Sequence, residues 1–344
     1  MLHKKKHIIY IGNMMSKHGG SVGVIETLST IFSERYIIFT ASDKKNQLVR
    51  LIDMLYTIWK HRKNAGLVLI DSYSTQAFWY AYLSARFSKL LGIPFVPFLH
   101  GGNFPNRLPV LKKYTPNIFG QSAINISPSI YLKEAFEKHG FKIKYIPNSI
   151  SLELYPFKHR TELKPHILWV RAFEKTYNPT MAVDVLKLVK NKYPEATLCM
   201  IGSDKDGTMV QTKELATKEN LIQDIEFTGY MAKKDWLEKS TKYDIFINTT
   251  NVDNHPVSVV EAMALGLPIV STNAGGIPFF ITQKQNGLMC EISNATQMAD
   301  MIVELLQNSE LASTLSINGR KTAEQLDLTE VKKTWWEFLD PYTH

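Results

Sequence analysis

Apolar runs and amphipathic stretches alternate along most of this 344-residue chain. Apolar runs without polar interruption are typical of parallel strands that are covered on both faces. Such runs predict strands at 7–12, 36–40, 67–71, 94–100, 123–127, 143–147, 166–170, 196–202, 224–229, 244–249, 267–272 and 287–292. Amphipathic stretches predict helices between them, among them 22–33, 44–63, 74–90, 108–119 and 128–139. This alternation predicts an α/β fold built on doubly wound parallel sheets.

The charged, proline-containing segment "YPFKHRTELKPH" interrupts the alternation in mid-chain. A chain of this length exceeds one ordinary hydrophobic core and fits two domains. We therefore predict two Rossmann-like domains, at 1–155 and 156–327, that face a cleft where ligands meet the carboxyl ends of the strands. The last helix, at 328–344, carries Trp335 and Trp336 and is expected to return to the first domain.

Charge is distributed unevenly between the halves of the chain. Residues 1–150 hold 20 Lys and Arg against 7 Asp and Glu, whereas residues 151–344 hold 20 against 25. The segment 43–64 combines cations with apolar positions such as Ile52 and Trp59, a combination that suits peripheral contact with an anionic membrane but is explained more simply by ordinary packing. It also fits a helix that packs one face on the sheet and keeps its cations in water. Nucleic acid is not expected, because no recognition motif accompanies the charge.

Composition is that of a soluble globular protein, with 44% hydrophobic and 21% charged residues. No stretch approaches the roughly 20 apolar residues of a spanning helix, and the N-terminus lacks the apolar run of a signal peptide. Cys199 and Cys290 lie far apart within apolar runs, which favours core thiols over a disulfide or a metal pair. We expect a cytoplasmic protein, at most peripheral at the inner face of a membrane.

Glycines follow two of the predicted strands in the first domain. Gly19 and Gly20 open a helix, so backbone N–H groups there are able to approach an anion at the positive end of the helix dipole. A tight turn explains the same glycines, and the segment matches neither the dinucleotide nor the P-loop pattern. His100 ends the strand in "PFLHGG", beside glycines that leave room for a ligand, although a lone histidine is more often structural.

Arg171 and Lys175 come just after the first strand of the second domain. Two cations at a strand end suit a phosphate or diphosphate, since Arg offers a fork of donors and Lys a point charge. Solvated loop cations are the simpler alternative.

The stretch "DNHPVSVVEAMALGLPIVSTNAGGIP", at 253–278, carries the strongest pattern in the sequence. Pro256 fits the first turn of a helix that stops at Gly266. Glu261 then lies one turn into the helix, and Asp253 lies just before it. Both carboxylates are able to accept hydrogen bonds from a polyol, while the free N–H groups at the helix start face an anion. Asp253 is also explained as an ordinary acid that the helix dipole favours.

This stretch resembles the donor-site signature of family 4 of the retaining glycosyltransferases, which have the GT-B fold. The family pattern is Glu, seven residues, Glu, Ala-Met-Ala-x-Gly-x-Pro, a strand and Gly-Gly-x-Pro, and the first acid here is Asp253. Further similarities follow in family order over nearly the whole chain. "HGGSVGV", "LHGG", "YIPNSI" and "FTGY" resemble the glycine loop, the substrate-facing histidine, the segment near the domain junction and the nucleotide-side loop.

The resemblance implies roles for the matching residues of the second domain. Glu261 would bind the ribose hydroxyls of a nucleotide sugar, and Asp253 would bind a hydroxyl of the transferred sugar. Arg171 and Lys175 would hold the diphosphate, although they lie four positions apart where the family has five.

In the first domain the resemblance implies that Gly20 approaches the diphosphate and that His100 contacts the donor sugar once the two domains close. The other donor-binding residues that the matching motifs imply are Gly19, Asn254, His255, Pro256, Val257, Ser258, Gly229 and Gly275.

The reaction implied by the resemblance is transfer of a sugar, of the hexosyl type, from a nucleoside-diphosphate sugar with retention at the anomeric carbon. The expected acceptor is a glycan or a lipid-linked molecule of surface polysaccharide or glycolipid synthesis. Fixed cations and helix N-termini stabilise the departing diphosphate, so neither a metal nor a cofactor is expected. We expect front-face attack, because no carboxylate is placed as a covalent nucleophile. A sugar-nucleotide epimerase and a non-catalytic nucleotide binder remain open as alternatives.

Overall fold

The computed structural model describes residues 6–18 and 23–343. The predicted anion loop at Gly19 and Gly20 lies outside the described residues. The chain divides into two compact units: unit 1 comprises Met1–Pro147 and Glu330–His344, and unit 2 comprises Asn148–Thr329.

Each unit is built on one parallel sheet with helices between its strands. The strands are β1 (His7–Ile11), β2 (Ile38–Ala41), β3 (Ala65–Ser72), β4 (Phe95–Leu99), β5 (Asn125–Ser127), β6 (Ile143–Tyr145), β7 (His166–Val170), β8 (Thr197–Ile201), β9 (Ile225–Gly229), β10 (Ile245–Asn248), β11 (Ile269–Thr272) and β12 (Leu288–Cys290). The α-helices are α1 (Val24–Ser33), α2 (Gln47–His61), α3 (Phe78–Leu90), α4 (Phe104–Arg107), α5 (Thr115–Ile118), α6 (Ile130–Glu137), α7 (Pro179–Lys190), α8 (Thr208–Lys218), α9 (Lys233–Ser240), α10 (Val257–Ala264), α11 (Ala295–Gln307), α12 (Ser309–Glu324) and α13 (Leu328–Thr343).

The sheet of unit 1 has the order β2-β1-β3-β4-β5-β6. Ile9 on β1 pairs with Phe39 on one side and with Val68 on the other, and all the strand pairs are parallel. Chain order reverses at β1, since β2 lies on one side of it and every later strand on the other. Such a reversal opens a crevice at the carboxyl ends of the two flanking strands, here β1 and β3.

Both faces of this sheet are covered, which explains why its strands are continuously apolar. On one face Ile9 and Val68 belong to the same buried cluster as Met54 of α2 and Phe78 of α3. On the other face α1 and α13 supply the cover. There the ring of Trp335 lies 5.1 Å from Phe32 and 5.3 Å from Phe98, measured between centroids.

The prediction of one helix at 108–119 is wrong. The structure has two short helices, α4 and α5, joined by turns at 108–114. Pro116 lies in the first turn of α5. A proline can begin a helix, but inside one it lacks the N–H donor and clashes with the carbonyl four residues earlier. A single helix through Pro116 would therefore lose one hydrogen bond and be kinked, whereas a new helix that begins there loses nothing.

The sheet of unit 2 has the order β12-β11-β10-β7-β8-β9, again with all pairs parallel. Its two faces carry separate buried clusters: Ile167 and Trp169 pack under α7 and α11, whereas Leu168 packs under α10 and α12. Chain order reverses between β7 and β10, which places the crevice of this sheet at the carboxyl ends of those two strands.

These two doubly wound sheets confirm the predicted fold class, and each predicted strand is present. Cys199 and Cys290 are buried free thiols, as predicted. In the described part of the chain no helix is long and apolar enough to cross a membrane.

Candidate functional site

Predicted site residues of unit 2 gather at the point where the order of its strands reverses. Arg171 follows β7 directly, and its backbone N–H donates to the carbonyl oxygen of Ile201 at 3.0 Å. Asp253 follows β10 after a short loop. Since β7 and β10 are neighbours in the sheet, the two side chains emerge at the same edge.

Arg171 and Asp253 form an ion pair, in which Nη2 of the guanidinium donates to Oδ2 of the carboxylate. The other carboxylate oxygen of Asp253 accepts the backbone N–H of Asn254 at 2.8 Å. The guanidinium also lies 4.3 Å from the ring centroid of Tyr177. Burial opposes the charged form of Arg171, but Asp253 and Tyr177 raise its pKa above the ordinary value. The site therefore contains a permanent cation whose orientation is fixed by a carboxylate.

The Gly275-Gly276 turn supports the loop that carries Asp253. The backbone N–H of Gly276 donates to the carbonyl oxygen of Asp253 at 3.0 Å. Gly275 has φ of +55°, and a Cβ atom there would lie 2.1 Å from the same carbonyl oxygen. At Gly276 a Cβ would lie 1.7 Å from the carbonyl oxygen of Asn254. Only residues without side chains allow this close approach of two backbone segments.

The N-terminus of α10 opens into the same region. Among the residues described, no side chain caps this helix, whose N-cap residue is Pro256, and Val257 at its first position is half-buried. Three side-chain atoms near this end are buried without a hydrogen-bond partner in the described structure: Nε of Arg171, Nδ1 of His255 and Oγ of Ser258. Buried polar atoms in native proteins are nearly always paired, so a cluster of unpaired ones makes this end of α10 a candidate ligand site.

His255 is a buried, neutral member of this cluster. Its ring packs 4.9 Å from that of Phe280, and burial lowers its pKa to about 4. At neutral pH this side chain offers a hydrogen bond but no charge.

Glu261 lies inside α10 and is almost completely buried. Its Oε1 atom accepts a hydrogen bond from the hydroxyl of Tyr155 at 2.7 Å and pairs with the ammonium of Lys233. Burial and the Glu261 carboxylate both raise the pKa of Tyr155, so its hydroxyl remains a donor. Sequence reasoning missed both partners, because they lie 106 and 28 residues away and belong to no motif.

Two other predicted residues of unit 2 lie apart from these pairs. Lys175 is exposed and begins a single turn of 3-10 helix, where its backbone N–H donates to Asp206 at 3.0 Å. Gly229 ends β9, two strands from β7, with φ of +71° and open space beside it. The structure thus brings Arg171 and Asp253 together but does not join Lys175 to them.

In unit 1, His100 directly follows β4 and contacts a carboxylate that sequence reasoning missed. Nε2 of His100 lies 2.8 Å from Oδ1 of Asp71, near the end of β3. The same oxygen accepts the hydroxyl of Tyr10 at 2.9 Å, whereas Oδ2 is buried without a partner in the described structure. Asp71 is the last residue of the apolar run "LVLID", and an acid at the end of a predicted strand is the sequence signal that would have identified it. Its carboxylate fixes the imidazole of His100 beside the crevice of this sheet.

Metal binding has no ready site among the described residues, where no group of three or more His, Cys, Asp or Glu side chains is placed to share an ion.

Comparison with known proteins yields one family and several relatives. Residues 153–322 match the family model of the glycosyl transferases group 1. An uncharacterized glycosyltransferase of Haemophilus influenzae is 27% identical over 152 residues, which cover 44% of this chain and 42% of that protein. The spore coat protein SA of Bacillus subtilis is 30% identical over 176 residues, which cover 48% of this chain and 46% of that protein.

Among solved structures, that of Anabaena HepE in complex with UDP and glucose is similar with a TM-score of 0.78 and 16% identity, over 98% of this chain and 100% of HepE. This likeness confirms the GT-B type of fold predicted from the sequence. The chain matches less than half the length of the Haemophilus and Bacillus relatives.

Proposed function

We propose that this chain, whose residues 153–322 match the family model of the glycosyl transferases group 1, transfers a sugar from a nucleoside-diphosphate sugar to an acceptor. The observation that carries the proposal is the cluster at the end of β7 and the start of α10. Among the described residues it combines an uncapped helix N-terminus with three buried polar atoms that lack partners, one of which is Nε of the Arg171 guanidinium. The oxygens of a diphosphate would accept hydrogen bonds from the guanidinium and from the backbone N–H groups at the start of α10.

The nucleoside would be recognised through Glu261. A buried carboxylate can accept two hydroxyl hydrogen bonds, as the vicinal hydroxyls of ribose require. Tyr155 and Lys233 both bind Oε1, which leaves Oε2 outside the hydrogen bonds that hold the side chain in place. HepE, which shares the fold, was solved with UDP, in line with a nucleoside diphosphate as the product.

The chemical step we propose breaks the bond between the anomeric carbon and the diphosphate oxygen and forms a bond to the acceptor oxygen. Negative charge grows on the departing diphosphate, where Arg171 and the α10 N-terminus stabilise it without a metal. The acceptor proton passes to the leaving phosphate oxygen on the same face of the sugar, so the anomeric configuration is retained. In this proposal Asp253 orients Arg171, with which it forms an ion pair, and binds a hydroxyl of the transferred sugar.

For the acceptor we propose a glycan or a lipid-linked molecule, used in surface polysaccharide or glycolipid synthesis at the cytoplasmic face of a membrane. The excess of 20 Lys and Arg over 7 Asp and Glu in residues 1–150 supports an acceptor at an anionic surface.

The decisive experiment incubates the full chain with a panel of nucleoside-diphosphate sugars, with and without lipid-linked or glycan acceptors. We expect release of nucleoside diphosphate only when an acceptor is present, a product with retained configuration, and no loss of rate with a chelator. Glu261→Ala should lower kcat/KM about 100-fold, because it removes hydrogen bonds to a charged group. Glu226→Ala, which changes an exposed glutamate of β9 paired with Lys239, is the matched control and should leave the rate unchanged.

Three outcomes would contradict the proposal in different ways. Epimer formation without acceptor would make the protein an epimerase, and binding without turnover would make it a nucleotide binder. An inverted product would exclude the retaining step alone.

A further inference from the structure

Helix α2 exposes apolar side chains on the face that points away from the sheet. Leu48 and Ile52 are 73% and 65% exposed, and Val49, Tyr56 and Trp59 are exposed beside them. The opposite face is used for packing, since Met54 and Ile58 are fully buried in the core of unit 1. An amphipathic surface helix normally has one apolar face, which packs on the core. A second, exposed apolar face is typical of a surface that binds another molecule or a membrane.

The exposed apolar surface continues from α2 onto α3. Both helices pack on the same face of the sheet, and the guanidinium of Arg50 on α2 lies 5.8 Å from the ring centroid of Tyr80 on α3. From α3, Trp79 and Leu83 are exposed, and Leu90 is 79% exposed.

It reaches further to the turns at 108–114, where Val110 is 75% exposed and the ring of Tyr114 lies 4.9 Å from Trp79. Of the nineteen large apolar side chains that are exposed in the described chain, ten lie on this surface. We call it the outer helical face, defined by the exposed side chains of α2, α3 and 108–114.

Cations surround this surface, and acids are almost absent from it. Between Asp71 and Glu134 the sequence contains no acidic residue. The exposed cations of the region are Lys60, Lys63, Arg86, Lys89, Lys112 and Lys113. The one acid of α2, Asp53, accepts a hydrogen bond from Ser42 at 2.6 Å and is partly buried.

We propose that the outer helical face docks on the surface of an anionic lipid bilayer. Leu48, Ile52 and Val110 would enter the acyl boundary, Trp79 and Tyr114 would lie at the headgroups, and the lysines would meet the phosphates. A second copy of the chain is a poorer occupant, because self-pairing would bring into contact two basic surfaces that are almost without acids. The inference rests on the proposed function and deepens it by naming the surface that brings the protein to a lipid-linked acceptor.

Vesicle flotation of the full chain tests the proposal without any donor or acceptor. We expect partitioning at least about tenfold stronger to phosphatidylcholine vesicles that contain phosphatidylglycerol than to phosphatidylcholine alone, and weaker partitioning in high salt. The double variant Leu48→Glu with Ile52→Glu should lose about tenfold or more of this partitioning. The matched control replaces exposed apolar residues of unit 2, as Val210→Glu with Ile292→Glu, and should partition like the wild type.

Equal partitioning to both vesicle types, or unchanged partitioning of the α2 variant, would overturn the proposal. So would a dimer in solution that the α2 variant converts to a monomer while flotation is unaltered, since a second copy would then occupy the face. Calorimetric binding of nucleoside diphosphates to the same preparations tests the donor site separately, so that failure of one proposal is not mistaken for failure of the other.

Discussion

His255 shows how burial sets the chemistry of a single residue in this protein. Its imidazole is 7% exposed, packs against Phe280 and has a pKa of about 4, well below the ordinary 6.5. The cause is desolvation of the charged form. The neutral ring can share the helix N-terminus with an anion and leaves the positive charge to Arg171.

We expect His255 to make the stability of the protein depend on pH. Between pH 6.5 and about 4, His255 is protonated in the unfolded chain but stays neutral in the folded chain. The free energy of unfolding therefore falls as the pH falls. The contribution is about 3 kcal/mol over that window. In urea unfolding, His255→Leu should therefore lose less stability on acidification than the wild type.

The exposed His139 offers the control for this measurement. His139→Leu should retain the steeper decline of the wild type. Parallel stability curves for the wild type and His255→Leu would show that His255 does not carry the effect.

At the residue scale the sequence was informative only where a motif existed. The motifs proposed Asp253, Glu261 and Arg171 as site residues, and the structure pairs Arg171 with Asp253 and buries Glu261 within α10. Tyr155 and Lys233 could not be predicted, because a side chain that contacts a site through the fold leaves no local pattern.

At the scale of elements, two backbone segments hold the site in shape. The turn at Gly275 lies against the loop that begins at Asp253, and their contact joins the end of β11 to the start of α10. This explains why a Gly-Gly pair follows the strand: the site needs a turn that another backbone can approach closely.

Gly275→Ala should destabilise the protein by about 3 kcal/mol, because it combines a positive φ with a clash against the Asp253 carbonyl. It should also weaken nucleoside diphosphate binding, since the clash displaces the loop that orients Arg171. Urea unfolding and calorimetry measure the two effects.

Gly207→Ala is the matched control in the same unit, where φ is +84° but the space beside the residue is open. It should cost about 1 kcal/mol, the strain of the left-handed conformation alone. Equal losses for the two variants would mean that the close approach at Gly275 is unimportant.

Elements were the most predictable level of this structure. Unbroken apolar runs identified the strands, because both faces of such a strand are buried and neither needs polar residues. The helix predicted at 108–119 is the exception, because Pro116 lies in the first turn of a separate short helix.

At the scale of the whole chain, α13 completes the unit whose sheet begins with β1. Trp335 of α13 is buried against Phe32 and Phe98, and the backbone N–H of Lys6 donates to the carbonyl oxygen of Thr343 at 3.2 Å. The carboxylate of Asp340 pairs with Arg35 at 2.7 Å. Unit 1 therefore depends on residues from both ends of the chain.

Trp335→Ala should lower the free energy of unfolding of unit 1 by about 3 to 5 kcal/mol, since it empties a buried aromatic site. Its neighbour provides the comparison: Trp336 is only partly buried and lies 5.3 Å from the guanidinium of Arg35. Trp336→Ala should cost about 1 to 2 kcal/mol. Urea unfolding followed by circular dichroism measures both, and similar losses would argue against a core role for Trp335.

The sequence by itself determined the two parallel sheets and the motif at 253–278, because periodicity and turn chemistry act between residues that are close along the chain. The tertiary structure alone decided which groups meet. It paired Arg171 with Asp253, gave Glu261 its partners, placed Asp71 beside His100, and separated the buried face of α2 from its exposed one. These contacts join residues tens to hundreds of positions apart, and only the packing of complete elements brings such residues together.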